Sequence, residues 1–149
     1  MSVMEPLRVA VLGAGGTIAP AIVRDLAQSD EVAGLLLLDI DEARAEHVAS
    51  LYGGLKARAA FADARASADA AASLARALEG CDVLVNSASY RVNLDAMTAC
   101  LKAGCHYLDL GGLYWMTGHQ LELGPWFEGA GLLALLGIGS APGKTNLMA

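Results

Sequence analysis

The chain has 149 residues, the size of one domain, and can bury a core without disulfides or metals. Its formal net charge of −6 and its scattered lysines, Lys56, Lys102 and Lys144, exclude nucleic-acid binding as the main task. No apolar run reaches the roughly 18 residues of a membrane helix, and three cysteines in apolar surroundings read as core residues of a reduced, cytoplasmic protein.

The first predicted element is a buried strand, Leu7–Leu12. It runs into Gly13-Ala14-Gly15-Gly16 and then into a helix predicted over Gly16–Gln28, with Ile18, Ile22, Val23 and Leu26 on one face. The glycines and Pro20 interrupt the apolar stretch, so it reads as strand and turn and not as a signal peptide. A second strand, Leu35–Leu38, ends at Asp39, and a helix follows over Asp41–Tyr52 with Asp41 as N-cap. Ala57–Phe61 is the third strand and Ala68–Leu78 an alanine-rich helix. Asp82–Asn86 is the fourth strand, Asn93–Ala103 a helix closed by Gly104, and His106–Leu110 the fifth strand. A helix over Thr117–Glu128 should break or kink at Gly124-Pro125. Leu132–Leu136 is the sixth strand. Thr145–Ala149 reads as the start of a further helix, so the chain is expected to be the N-terminal part of a longer, two-domain protein.

Short, continuously apolar strands alternating with helices predict an α/β fold. The expected form is a doubly wound parallel sheet of order 3-2-1-4-5-6, with helices on both faces. Ligands of such sheets bind beyond the C-terminal strand ends. The residues there become the candidate site. Gly13, Gly15, Gly16, Thr17 and Ile18 form a glycine turn under a helix N-terminus, where unpaired N–H groups and the helix dipole receive phosphate. Position 18 holds isoleucine where a G-x-G-x-x-G pattern has its third glycine. Gly16 and Ala19 are expected to share the close helix–strand packing instead. Asp39 is placed to accept hydrogen bonds from a ribose diol and to repel a 2′-phosphate, which favours NAD over NADP. Asp63 meets the adenine or lies solvated on its loop. Asn86, Ser87 and Ala88 follow the fourth strand; Asn86 either meets the ligand or bonds across the neighbouring strands.

The tyrosines and Trp115 read as packing residues, and His106, at the opposite end of its strand, as structural. Cys100, Cys105 and His106 fit no common zinc spacing, so no metal is expected. Tyr90 is followed four positions later by Leu94 and Tyr114 by Gly118, so neither forms a Tyr-x-x-x-Lys pair, and there is no well-placed Ser/His/Asp set.

Asp82-Val83-Leu84-Val85-Asn86, the run Ala99–Gly112 and the closing Gly139-Ser140-Ala141-Pro142-Gly143-Lys144 resemble the NAD(P)-binding domain of the saccharopine dehydrogenase-like family, which includes lysine 6-dehydrogenase-type enzymes. The resemblance covers nearly the whole chain. It implies a Rossmann-type domain followed by a catalytic and dimerisation domain. It further implies hydride transfer between the nicotinamide cofactor and an amino-acid-derived amine or imine, with a homodimer as the assembly. The catalytic residues would lie mostly in the second domain; Lys144 is the one candidate here. The other reading is a regulatory, nucleotide-sensing module of the same fold without catalysis.

Overall fold

A computed structural model describes residues 5–65 and 74–149. Its sheet has six parallel strands in the order β3-β2-β1-β4-β5-β6. These are β1 (Leu7–Leu12), β2 (Val32–Asp39), β3 (Ala57–Phe61), β4 (Val83–Asn86), β5 (His106–Asp109) and β6 (Ala134–Leu135). The expected doubly wound order is the observed one.

The strands β1 to β4 contribute to two cores because their side chains alternate across the sheet. Val9, Val11, Leu35 and Leu37 are buried on one face, with Val23 and Val48 from the helices above them. Ala10, Leu12, Leu36, Leu38 and Leu84 are buried on the other, with Met97 and Phe127. That two-sided burial is why Leu35–Leu38 shows no polar alternation.

The helices are α1 (Ala19–Gln28), α2 (Glu42–Tyr52), α3 (Asn93–Ala103), α4 (Tyr114–Glu122), α5 (Gly124–Gly129) and α6 (Lys144–Met148). Asp41 caps α2, its carboxylate accepting the Arg44 N–H at 3.2 Å. Gly104, in the left-handed region at φ 70°, ends α3. The predicted helix over Ala68–Leu78 falls largely outside the described residues; 74–77 are helical. The helix predicted over Thr117–Glu128 is two helices. Pro125 cannot donate into a continuing helix but sits without cost in the first turn of α5. The sixth strand shrinks from the expected five residues to a pair beside Tyr107 and Leu108. Among the described residues, no helix is long and apolar enough to cross a membrane.

Candidate functional site

The strand order reverses between β1 and β4, and the loops after those two strands are clasped together. Gly13 and Ala14 donate their N–H groups to the Leu38 carbonyl at 2.9 and 3.1 Å, tying the glycine turn to β2. The Ser87 hydroxyl donates to the Leu12 carbonyl at 2.8 Å, tying β1 to β4. Gly13 has φ 76°, and a Cβ there would lie 2.7 Å from the Ala88 nitrogen. Both the backbone angle and the contact with Ala88 demand glycine.

The loop continues as bends through Gly16, Thr17 and Ile18, and α1 starts at Ala19, not at Gly16 as expected. Pro20 occupies the first turn, and Ile18, the N-cap, offers no side-chain oxygen. Among the described residues, the N–H groups of Thr17, Ile18 and Ala19 have no protein acceptor. Three consecutive unpaired donors thus stand at the positive end of a helix. Gly16 is exposed, and a Cβ on it would meet only the Gly13 carbonyl. The buried Ala19 therefore supplies the close packing alone, and Gly16 leaves the loop surface bare.

Asp39 does two jobs visible in the fold. Its Oδ2 accepts the Gly15 N–H at 2.8 Å and its Oδ1 the Asp41 N–H at 2.9 Å. Each oxygen keeps a further lone pair. A Cβ on Gly15 would run into Arg44 Cβ at 2.8 Å and Asp39 Oδ2 at 3.1 Å. The carboxylate therefore shapes the turn as well as facing the crevice beside it. That crevice, about 60 Å³, lies between Gly13, Asp39, Asp63, Ala88 and Val92. Asp63 and Arg65 form an ion pair at 2.8 Å at its rim. The Arg65 guanidinium and N–H hold the Asp63 carboxyl at a pKa of about 2.

The geometry redirects Asn86. Its carboxamide is buried and donates to Asn93 Oδ1 at 2.9 Å and to the Tyr107 hydroxyl at 3.1 Å; its Oδ1 accepts the Ala88 N–H. It bonds across the strands and shapes the 86–88 turn, and Ala88 lines the crevice beside Gly13. Asn86 belongs to a buried polar network that sequence reasoning missed. At its centre Asp109, 1% exposed, accepts from five donors. Oδ2 takes Tyr107 (3.0 Å), Gln120 (2.7 Å) and Asn93 (3.3 Å). Oδ1 takes the N–H groups of Gly111 (2.9 Å) and Gly137 (2.8 Å). Burial and the Asp109 charge push the Tyr107 hydroxyl well above its ordinary pKa, so it stays a neutral donor. This one carboxylate fixes the loops after β5 and β6 side by side.

Tyr107 packs as expected, but Tyr114 is exposed and Trp115 only half-covered, edge-on to Tyr90. His106 is structural, its Nδ1 accepting the Leu133 N–H at 2.9 Å. Lys144 opens α6, exposed, with its N–H donating to the Gly139 carbonyl. Cys100 and Cys105 are buried and Cys81 partly so, all three free. Among the described residues, no group of three or more potential metal ligands comes together.

A dinucleotide fits this set of groups: free N–H donors for a pyrophosphate, a carboxylate for a ribose, and a crevice beside it. The family model of the saccharopine dehydrogenase NADP-binding domain matches residues 9–135. Carboxyaminopropylagmatine dehydrogenase from Synechocystis is 31% identical over 94% of this chain, which spans 36% of that protein. The chain thus covers about a third of the curated relative's length. Saccharopine dehydrogenase (L-Glu forming) from Saccharomyces cerevisiae superposes with a TM-score of 0.81 at 20% identity, over 95% of this chain and 29% of that one. GenD2 from gentamicin A biosynthesis, solved with NAD, does so with a TM-score of 0.64 at 22% identity, over 91% and 36%. At such identities these two likenesses are of fold. The chain belongs to the saccharopine dehydrogenase NADP-binding domain family.

Proposed function

We propose that the chain holds NAD for a dehydrogenase that interconverts an amino-acid-derived amine and its imine. The three N–H groups of Thr17, Ile18 and Ala19 carry the reading, because no group among the described residues accepts from them. In this reading they and Gly13, Gly15 and Gly16 receive the pyrophosphate. Asp39 accepts from the ribose, Asp63 borders the adenine, and Ser87 and Ala88 form the wall under the strand-order reversal. When bound, the nicotinamide supplies or accepts the hydride; the protein binds and orients the partners.

Asp39 favours NAD, since a 2′-phosphate would lie against its negative charge. Arg65, the cation at the crevice rim, is held by Asp63, and Arg44 lines the groove on the far side of Gly15. The substrate class is supported by the names of the relatives, a carboxyaminopropylagmatine dehydrogenase and a saccharopine dehydrogenase. The second domain of the longer protein would carry the catalytic residues and the homodimer contact, and the protein would work in the cytoplasm. The full-length protein supplied with NAD and either carboxyaminopropylagmatine or saccharopine should generate NADH absorbance. This chain alone should bind NADH and turn over nothing. Absence of NADH formation with amine substrates, together with intact nucleotide binding, would remove the amine reading and leave the binding site standing.

A further inference from the structure

A second cleft lies at the opposite, N-terminal edge of the sheet. The register places it. Arg8 on β1 pairs with Gly34 on β2, and Arg58 on β3 pairs with Leu36. Gly34 and Leu36 are two residues apart on one strand, so all four share one face of the sheet. Two arginines thus flank a position without a side chain. The space above Gly34 is a cavity of about 310 Å³, closed further by Lys56, Gly80 and Cys81. A Cβ on Gly34 would touch only the Lys56 carbonyl, at 3.8 Å. The floor is therefore open space that glycine keeps clear.

The charge there runs against that of the molecule. The chain has 10 Lys and Arg against 16 Asp and Glu, yet three of the ten cations line this one cleft. Glu79 is the carboxylate on its lining; Glu5 and Asp82 border the adjoining hollow beyond Arg8. Asp82 accepts the Arg8 main-chain N–H at 2.7 Å, not its guanidinium. Among the described residues the ion pairs are Asp63–Arg65 and His119–Glu122, and none of Arg8, Lys56 and Arg58 has a carboxylate partner among them. Lys56 Nζ donates to the Ser29 carbonyl at 2.7 Å, which fixes the ammonium without neutralising it. Three cations against the single lining carboxylate of Glu79 leave the cleft net positive, and an anion between them relieves the repulsion. β1 and β3 stand two strand spacings apart, roughly 10 Å, so one monovalent ion does not serve both arginines.

We propose that this cleft is a binding site for a small multivalent anion carrying phosphate or carboxylate groups, held by Arg8, Arg58 and Lys56 over Gly34. It lies at the opposite strand ends from the glycine turn and does not depend on the nucleotide reading. Cys81 is the local reporter, because it lines the cleft and is partly exposed while Cys100 and Cys105 are buried.

The test is carbamidomethylation of Cys81 by neutral iodoacetamide, followed by mass spectrometry with pyrophosphate or citrate as probe. Saturating probe should slow the labelling of Cys81. Arg8→Gln and Arg58→Gln should each weaken that protection about tenfold, the scale of one charge-assisted contact. Gly34→Val, whose Cβ fits the strand, should abolish it by filling the floor, with the circular dichroism spectrum unchanged. Protection by pyrophosphate alone assigns a phosphate-bearing ligand, and protection by citrate alone a polycarboxylate; either sustains the proposal. Calorimetric binding of pyrophosphate that leaves Cys81 unprotected would place the anion on the glycine turn and overturn the proposal. So would protection by neither probe, or protection that survives in the Arg8→Gln, Arg58→Gln double variant.

Discussion

At the scale of single residues, Asp39 was legible because its position is set by the chain's own punctuation. An apolar run ends, and the first carboxylate after it stands at a strand end. What the sequence does not reveal is that Asp39 also binds the Gly15 N–H. Replacing Asp39 with alanine should therefore lower NADH affinity by about 10- to 100-fold, the worth of a hydrogen bond to a charged acceptor. Asp39→Asn should narrow the gap between NADH and NADPH, because it removes the charge that opposes a 2′-phosphate. Paired titrations with the two reduced cofactors check both. Asp63 gives a prediction in pH. Its folded pKa of about 2 lies below the ordinary value of 3.8, so the ion pair with Arg65 stabilises the fold above about pH 4. That contribution fades as pH falls from 4 through 2. Arg65→Ala should return the Asp63 carboxyl towards 3.8 in an NMR titration; a carboxyl still titrating near 2 would show that Arg65 is not the cause.

The Asp109 network was not legible at this scale. Asn86, Asn93, Asp109 and Gln120 lie on two strands and two helices. Their meeting depends on which face each helix turns inward, which no local pattern around a polar residue encodes. Asp109→Ala would strand up to five donors at once, three of them buried and two partly so. It should cost about 3 kcal/mol or more in urea unfolding, the range for a broken buried network. A loss below 1 kcal/mol would mean that the loops after β5 and β6 are held in some other way.

At the scale of elements, β1, β3 and α3 were read with their observed limits, while β2 begins at Val32, three residues before the expected Leu35. β1 has its expected limits because the continuous burial of Val9–Leu12 leaves an apolar signature with a sharp end, and β3, though only partly buried, also has its expected limits. The start of α1 was misplaced by three residues: helical periodicity begins before the backbone becomes helical, and Pro20 sets the true first turn. The difference matters, since it converts Gly16 from a helix residue into bare loop surface. Two glycine substitutions separate fold from binding in this loop. Gly13→Ala forces a positive φ on a side chain and drives its Cβ into Ala88. It should destabilise the fold by about 1–3 kcal/mol and lose nucleotide binding as well. Gly16→Ala is exposed and its Cβ meets one backbone atom, the Gly13 carbonyl oxygen at 3.0 Å, so its melting temperature should fall far less than that of Gly13→Ala while NADH affinity drops at least about tenfold. Thermal melts and cofactor titrations on the two variants test this contrast, and equal behaviour would contradict it.

At the scale of the whole molecule, the sheet order sorts chemistry to its two ends. The C-terminal strand ends hold the glycine turn, Asp39 and the paired loops fixed by Asp109. The N-terminal ends hold the basic cleft over Gly34. The order 3-2-1-4-5-6 followed from the alternation of strands and helices together with right-handed crossovers. The basic cleft escaped sequence reading because Arg8 is far in the chain from Lys56 and Arg58 and is brought beside them by strand register. The most direct test of the central claim is calorimetric titration of the chain with NADH and with NADPH. The account predicts saturable binding of NADH, weaker binding of NADPH, and loss of NADH binding in Gly16→Ala without loss of fold. Binding of neither cofactor to the folded chain would contradict it.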